Sequence, residues 1–142
     1  MYLPDINVWL ALTFEAHSHH PQAKSWFEAI QDDIIMFCRV TQLGFLRLAT
    51  NPAVFTEEAL TSQDAWDCFD RFCEDSRIEF TLEPIGLEHF FRRYTSESSY
   101  SPKVWKDAYL AAFAVTSGTR LVSFDKAFQR YEELDCVVLS GT

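Results

Sequence analysis

The run WKDAYLAAFAVTSGTRLVSFD, residues 105–125, contains the predicted end of a helix, a tight turn and a strand. The pattern predicts a helix over 103–117 that ends at Gly118, the residue type that most often terminates helices. Residues 120–124 are a short apolar run of strand length. The segment AYLAAFAV is too apolar to face water, so we expect this helix to pack inward. One aspartate lies near the helix start and another follows the strand directly.

The same alternation of helices and strands extends along the chain. Further strands are predicted at 2–4, 34–38, 78–82 and 136–140; further helices at 6–15, 22–31, 41–50, 56–75, 87–94 and 126–132; and a polar loop at 95–102. Strands that alternate with helices indicate a parallel sheet covered on both faces. No linker or repeat interrupts the pattern. We therefore predict a single α/β domain over residues 1–142, with a central, mostly parallel sheet of four to five strands flanked by helices.

Composition limits the classes of function. The 142 residues are 48% hydrophobic and 15% aromatic, which is ample for a packed core and argues against disorder. The net charge of −9 disfavours a protein that binds nucleic acid through a broad basic surface, but it allows an enzyme that meets RNA at a small, metal-filled cleft. The four cysteines show no CxxC spacing, and no signal peptide or membrane-length apolar run is present. We expect reduced thiols, a cytoplasmic location and no membrane contact.

Three aspartates are predicted to meet at one edge of the sheet. Asp5 follows strand 2–4 and Asp125 follows strand 120–124, so both lie at the carboxyl ends of parallel strands, where ligands bind in such folds. The tight turn at Gly118 places the end of the preceding helix near the start of its strand. The beginning of that helix, with Asp107, therefore lies near the same edge. Taken singly, Asp5 and Asp125 could also be ordinary helix caps.

This grouping of acids predicts a metal site. Carboxylates that converge repel one another, and their pKa values rise unless a cation lies between them. Mg²⁺ and Mn²⁺ prefer oxygen ligands and retain bound water, which can be activated as a nucleophile. We therefore predict that Asp5, Asp107 and Asp125 are catalytic metal ligands, and that the reaction is metal-assisted hydrolysis of a phosphodiester.

Four segments resemble one known family. These are PDINVWLAL (4–12), GFLRLATNP (44–52), WKDAYLAAFA (105–114) and LVSFDKAF (121–128). They are similar, in this order, to motifs of the PIN-domain ribonucleases, and most of all to VapC-type toxins of toxin–antitoxin pairs. The resemblance spans about residues 2–139. It implies a PIN-like α/β sandwich, endoribonuclease activity on RNA with Mg²⁺ or Mn²⁺, a frequent homodimer, and a VapB-like antitoxin that blocks the cleft.

The resemblance also implies roles for single residues. It assigns the metal ligands to the same three aspartates that the topology brings together. Asn7 matches the family's DxN opening and would order the ligands around the metal. Ser123 matches a hydroxyl position two residues before the last aspartate and would position metal-bound water.

One departure from the family pattern concerns the helix after the second strand. Many members carry a glutamate there, whereas here Gln42 or Gly44 occupies the corresponding position. The amide oxygen of Gln42 could ligate weakly, so we expect one metal ion held by three acids. Arg47, Lys103 and Lys106 are candidates for contacts with RNA phosphate, and pairing with an acid is an equal alternative for each.

Two other functions remain open. The missing glutamate is compatible with a catalytically degenerate PIN-like module that acts only through protein or RNA association. A phosphotransfer enzyme or receiver domain fits less well. A phosphatase of that kind needs a second aspartate where Asn7 stands, and both types need a lysine beyond a late strand, whereas Asp125 follows strand 120–124 at once. The clustered His17, His19 and His20 are interpreted as a solvated loop.

Overall fold

The computed structural model describes residues 1–96 and 99–140. In this part of the chain, five short strands form one sheet in the order β3-β2-β1-β4-β5, and every pairing is parallel. The strands are β1 (Tyr2–Pro4), β2 (Ile35–Phe37), β3 (Ile78–Phe80), β4 (Arg120–Ser123) and β5 (Cys136–Val138). The predicted α/β class and the parallel sheet of four to five strands are confirmed.

Helices cover both faces of this sheet. They are α1 (Ile6–Thr13), α2 (His20–Ala29), α3 (Arg39–Ala49), α4 (Pro52–Phe55), α5 (Ser62–Glu74), α6 (Leu87–Thr95) and α7 (Val104–Ser117), with 3₁₀ segments at Thr56–Glu58 and Lys126–Arg130. Within the two described ranges, no helix has both the length and the apolar character needed to cross a membrane.

The core is divided by the sheet because successive strand residues point to opposite faces. Leu3, Met36 and Leu121 pack on the side of α6 and α7. Ile35 and Phe37 pack on the side of α1, α3 and α5. The sheet is therefore buried on both faces, which explains why its central strands are continuous apolar runs rather than alternating ones.

Helix α7 is buried along most of its length, as its sequence predicts. It ends at Gly118, whose left-handed backbone (φ 67°, ψ 34°) lets its N–H donate to the carbonyl oxygens of Ala114 and Val115. The chain then enters β4 at once. Because β4 runs away from this turn, the first residues of α7 lie at the carboxyl edge of the sheet.

The predicted helix over 56–75 is wrong in its first part. Thr56 has a positive φ of 49° and closes α4 instead of opening a long helix. The hydroxyl of Thr61 accepts a hydrogen bond from the backbone N–H of Asp64 and so begins α5 six residues later than predicted. Ala59 and Leu60 belong to the connection between these elements.

Other boundaries differ by smaller amounts. The predicted helix over 6–15 ends two residues early, at Thr13, and the helix predicted from residue 22 begins at His20. Helix α3 begins at Arg39, two residues before its prediction. Thr95, predicted as loop, is the last residue of α6, and residues 97 and 98 of the predicted loop lie outside the described residues.

Candidate active site

Asp5 joins β1 to α1 and is buried, with 2% of its surface exposed. Its extended backbone (φ −66°, ψ 162°) makes it the N-cap of α1, and its Oδ1 accepts a hydrogen bond of 2.7 Å from the backbone N–H of Ile6. Its Oδ2 accepts a hydrogen bond of 3.0 Å from the hydroxyl of Ser123. The carboxylate therefore caps the helix and also faces the end of the neighbouring strand β4.

Ser123 links the polar residues at this edge. Its fully buried hydroxyl donates to Asp5 and accepts from the side-chain amide of Asn7 (3.1 Å) and from the backbone N–H of Asp125 (3.0 Å). One hydroxyl thus fixes the carboxylate after β1 relative to the backbone after β4. In this structure Ser123 contacts Asp5 directly, and Asn7 acts on the acids only through its hydrogen bond to Ser123.

Asp107 reaches the same edge from α7 and is 97% buried, since 3% of its surface is exposed. Burial raises the pKa of its carboxyl group, Lys106 opposes that rise, and the negative charges of Asp5 and Asp125 add to it. Lys106 contacts both Asp5 and Asp107, and Ser123 bonds to Asp5 and to the backbone N–H of Asp125, so the structure brings the three aspartates to one edge of the sheet.

Two lysines pair with these acids. Lys106 Nζ lies 3.1 Å from Asp5 Oδ1 and 2.9 Å from Asp107 Oδ1. Burial pulls the pKa of Lys106 down, but the two carboxylates outweigh that effect and hold it above its ordinary value. Lys103 Nζ lies 3.8 Å from Oδ2 of Asp125, whose Oδ1 accepts a hydrogen bond from the backbone N–H of Ala127. Both lysines are therefore acid partners here.

The arrangement differs from three carboxylates grouped directly around one ion position. Among the described residues, no three acidic, histidine or cysteine side chains are close enough together to hold a metal ion. Instead, an ammonium group lies between Asp5 and Asp107. Asp107 Oδ1 is buried and finds no partner in hydrogen-bond geometry within the described residues, although Lys106 Nζ lies close to it. A buried pair of carboxylates that already holds a cation has the oxygen donors that Mg²⁺ or Mn²⁺ requires.

A cleft of about 410 Å³ opens beside the acids. Asp5, Asn7, Asp125, Lys103 and Lys106 line its polar part. The opposite wall comes from α1 and α3 and is largely apolar. This wall consists of Ile6, Leu10, Val40, Leu43, Gly44 and Leu48, together with the exposed Arg47. Pro102, just before α7, also lines the cleft. The cleft can therefore accept a ligand with both charged and apolar parts.

Helix α3 places no acid in this cleft. The amide oxygen of Gln42 accepts a hydrogen bond of 2.6 Å from the guanidinium of Arg39, so it is engaged away from the three aspartates. A Cβ at Gly44 would lie 2.1 Å from Cδ1 of Ile6, so this position serves close packing of α3 on α1. Helix α3 therefore supplies no side chain in place of the glutamate that many family members carry there.

Sequence reasoning missed two arginines, one that binds Gln42 and one close to the acids. Arg39 lies at the start of α3, with its guanidinium carbon 4.8 Å from the ring centroid of Phe80. Arg130 ends the 3₁₀ segment after Asp125; its hydrogen bond to Tyr131 raises its pKa most, and the charges of Asp107 and Asp125 raise it further. No spacing in the sequence indicates either position. The His19 ring, interpreted as solvated, stacks on Phe124 at 4.5 Å between centroids.

Comparison with known proteins identifies the family. The sequence profile described as PIN domain matches residues 2–134. The chain belongs to the PIN-domain family. Within this family it is 42% identical over 145 aligned residues to Ribonuclease VapC41 of Mycobacterium tuberculosis, and the alignment covers 99% of each chain. Ribonuclease VapC38 of the same species is 30% identical and aligns with 88% of this chain and 85% of its own length.

Solved structures share the fold. The crystal structure of VapBC2 from Rickettsia felis, bound to a DNA fragment from its promoter, contains a chain that matches with a TM-score of 0.71, 14% identity and 98% coverage of both chains. Mycobacterium tuberculosis VapC20, described as a sarcin–ricin loop cleaving toxin, matches with a TM-score of 0.68, 15% identity, and coverage of 94% of this chain and 98% of its own. At these identities the likeness establishes the architecture.

Proposed function

We propose that this PIN-domain protein is a metal-dependent endoribonuclease and the toxin component of a toxin–antitoxin pair. The observation that supports the proposal is that Lys106 contacts both Asp5 and Asp107, while Ser123 links Asp5 to the backbone of Asp125, beside a cleft that Asp5 and Asp125 line. The full-length similarity to Ribonuclease VapC41 supports it. The substrate is RNA, and the bond hydrolysed is a backbone phosphodiester.

The site residues have three proposed roles: metal binding, positioning of the acids and contact with RNA. Asp5, Asp107 and Asp125 would hold Mg²⁺ or Mn²⁺, which supplies an activated water and stabilises charge on the phosphoryl oxygens. Ser123 and Asn7 keep the acids in place through the hydrogen bonds of the buried hydroxyl. The exposed Arg47 and the lysines at the start of α7 line the same cleft, where they would face the RNA backbone.

A VapB-like antitoxin is the proposed protein partner. The apolar wall of the cleft includes Leu43, 61% exposed, which a covering protein segment would bury.

A homodimer is also proposed. Leu43 and Trp66, which is 43% exposed, line a second groove between α3 and α5 that a second copy of the chain could cover. Light scattering of purified wild type and Trp66→Glu would test the dimer.

The activity is tested with purified protein and RNA in Mg²⁺, in Mn²⁺ and in EDTA. We expect cleavage with either metal and none in EDTA. Asp5→Asn removes one charge from the metal ligands and should lower the cleavage rate by about a hundredfold or more. Asp64→Asn, on the exposed part of α5, is the matched control and should cleave as wild type does. Cleavage that persists in EDTA, or that survives Asp5→Asn, would contradict the proposal.

The absence of an acid on α3 favours a second candidate, a catalytically degenerate PIN-like module. In that case Gln42, engaged by Arg39, marks a site that binds RNA or protein without cutting. RNA incubated with the protein and Mn²⁺ separates the two functions. A binding module would shift the RNA in a native gel and leave it uncut, whereas a nuclease would shorten it.

A further inference from the structure

We propose that Lys106 is an internal counter-ion of the active site, which neutralises Asp5 and Asp107 in the metal-free protein and must leave them when a divalent ion binds. The inference rests on the proposed metal-dependent function. It adds a regulated step to that function: metal binding becomes an exchange of one cation for another.

The geometry places the ammonium where a shared ligand would stand. Lys106 Nζ is 3.1 Å from one oxygen of Asp5 and 2.9 Å from one oxygen of Asp107, and both acids are almost fully buried. Two buried carboxylates without a cation between them would destabilise the fold by repulsion and by loss of hydration. Lys106 therefore has a structural function that does not require a metal.

The same contact must weaken metal binding. The two oxygens that the ammonium approaches belong to the carboxylates proposed as metal ligands, and Asp107 Oδ1 has no other partner among the described residues. A divalent ion therefore binds only as the ammonium departs, so each binding event includes the cost of breaking two ion pairs.

Lys106 has room to move. Its side chain is 30% exposed and lines the 410 Å³ cleft, so its flexible stem can carry the ammonium away from the acids. Its other close neighbour is the face of the buried Phe128 ring, with a distance of 6.0 Å from Nζ to the centroid. After release, the ammonium lies in the part of the cleft where the RNA backbone is proposed to bind.

The test compares Mn²⁺ affinity in wild type and Lys106→Met, which keeps a long apolar stem without the charge. Isothermal titration at about pH 8 should show Mn²⁺ binding at least about tenfold tighter in the variant. Without metal, the variant should melt at a lower temperature than wild type. Saturating Mn²⁺ should close that gap. Lys24→Met is the matched control: its ammonium is 3.9 Å from Glu28 on α2, away from the cleft, and 58% exposed, so affinity should change by less than about twofold.

A second measurement uses the wild-type protein and does not depend on the folding of any variant. The rate at which an amine-acylating reagent modifies Lys106, followed by mass spectrometry, should rise when Mn²⁺ is added, because the ammonium is released from its ion pairs. Unchanged or weaker Mn²⁺ affinity in Lys106→Met, or an acylation rate that Mn²⁺ does not alter, would overturn the counter-ion role. If RNA cleavage nevertheless requires metal and Asp5, the nuclease proposal survives. If neither protein binds Mn²⁺, both proposals fail.

Discussion

Asp5 and Asp125 each use one carboxylate oxygen to cap a helical segment. Asp5 Oδ1 accepts from the N–H of Ile6, and Asp125 Oδ1 accepts from the N–H of Ala127. A cap restricts the rotamer of the acid, because the side chain must stay within hydrogen-bond distance of a backbone N–H one or two residues later in the chain. Capping and metal binding are therefore compatible functions of the same residue. The start of each helical segment therefore restricts the orientation of an acid that we propose as a metal ligand.

Ser123→Ala tests whether the buried hydroxyl organises the acids. The change removes the donor to Asp5 and leaves the amide of Asn7 and the N–H of Asp125 without their acceptor. Loss of a buried, hydrogen-bonded group typically costs about 1–3 kcal/mol, so we expect a drop of that size in the free energy of unfolding, measured with urea. RNA cleavage should fall about 10–100-fold, as when groups that orient metal ligands are lost.

The matched control for this prediction is Ser117→Ala. Ser117 donates to the carbonyl oxygen of Phe113 at the far end of α7, remote from the cleft. This variant should cleave RNA at the wild-type rate. Equal cleavage rates in Ser123→Ala and wild type would show that the hydroxyl only stabilises the fold.

At the scale of elements, the location of the acids at one edge of the sheet could be predicted from the sequence. The side-chain contacts around them could not. Topology alone places residues that follow parallel strands at one edge, so Asp5 and Asp125 needed no contact information. The direction of a helical side chain depends on packing, which the sequence does not reveal. Gln42 therefore faces Arg39, and Gly44 is explained only by the proximity of Ile6. Likewise, an unbroken amphipathic pattern over 56–75 concealed the positive φ that separates α4 from α5.

Arg77, just before β3, connects that strand to the end of α2. Its guanidinium donates to both oxygens of Asp75 and to the carbonyl oxygens of Phe27 and Ile30, and it lies over the Phe27 ring. The hydrogen bond from Arg77 holds the pKa of Asp75 below its ordinary value of 3.8. The pair therefore stabilises the fold above that pH, and this stabilisation is lost as the pH falls through the lowered pKa.

Asp75→Asn should reduce the free energy of unfolding by about 1–2 kcal/mol at about pH 7, because a charge-assisted hydrogen bond becomes a neutral one. The difference from wild type should shrink as the pH falls below 3.8, because Asp75 then takes up a proton in the unfolded chain before it does so in the folded protein. Urea unfolding at neutral and acid pH measures both quantities. Asp135→Asn, which breaks the exposed pair with Arg120, should leave stability unchanged. A gap of the same size at both pH values would contradict the linkage.

At the scale of the whole molecule, 21 acidic residues outnumber 12 basic ones, so the protein as a whole repels RNA. Attraction must come from a few cations that line the cleft. Lys103 and Lys106 already pair with acids, whereas Arg47 lies on the opposite wall and forms no ion pair within the described residues. RNA affinity should therefore depend on few phosphate contacts, and Arg47 should provide one of them.

The salt dependence of RNA binding tests this distribution of charge. Each phosphate contact on a single strand contributes about −0.7 to the slope of log affinity against log salt concentration, so one to three contacts predict a slope of about −0.7 to −2. Fluorescence anisotropy in EDTA, between about 50 and 200 mM salt, measures the slope without cleavage. Arg47→Ala should reduce its magnitude by about 0.7. Arg71→Ala, on α5 and outside the cleft, should not change it. A wild-type slope steeper than about −4 would require more than five phosphate contacts, and this acidic surface could supply that many only with a second copy of the chain.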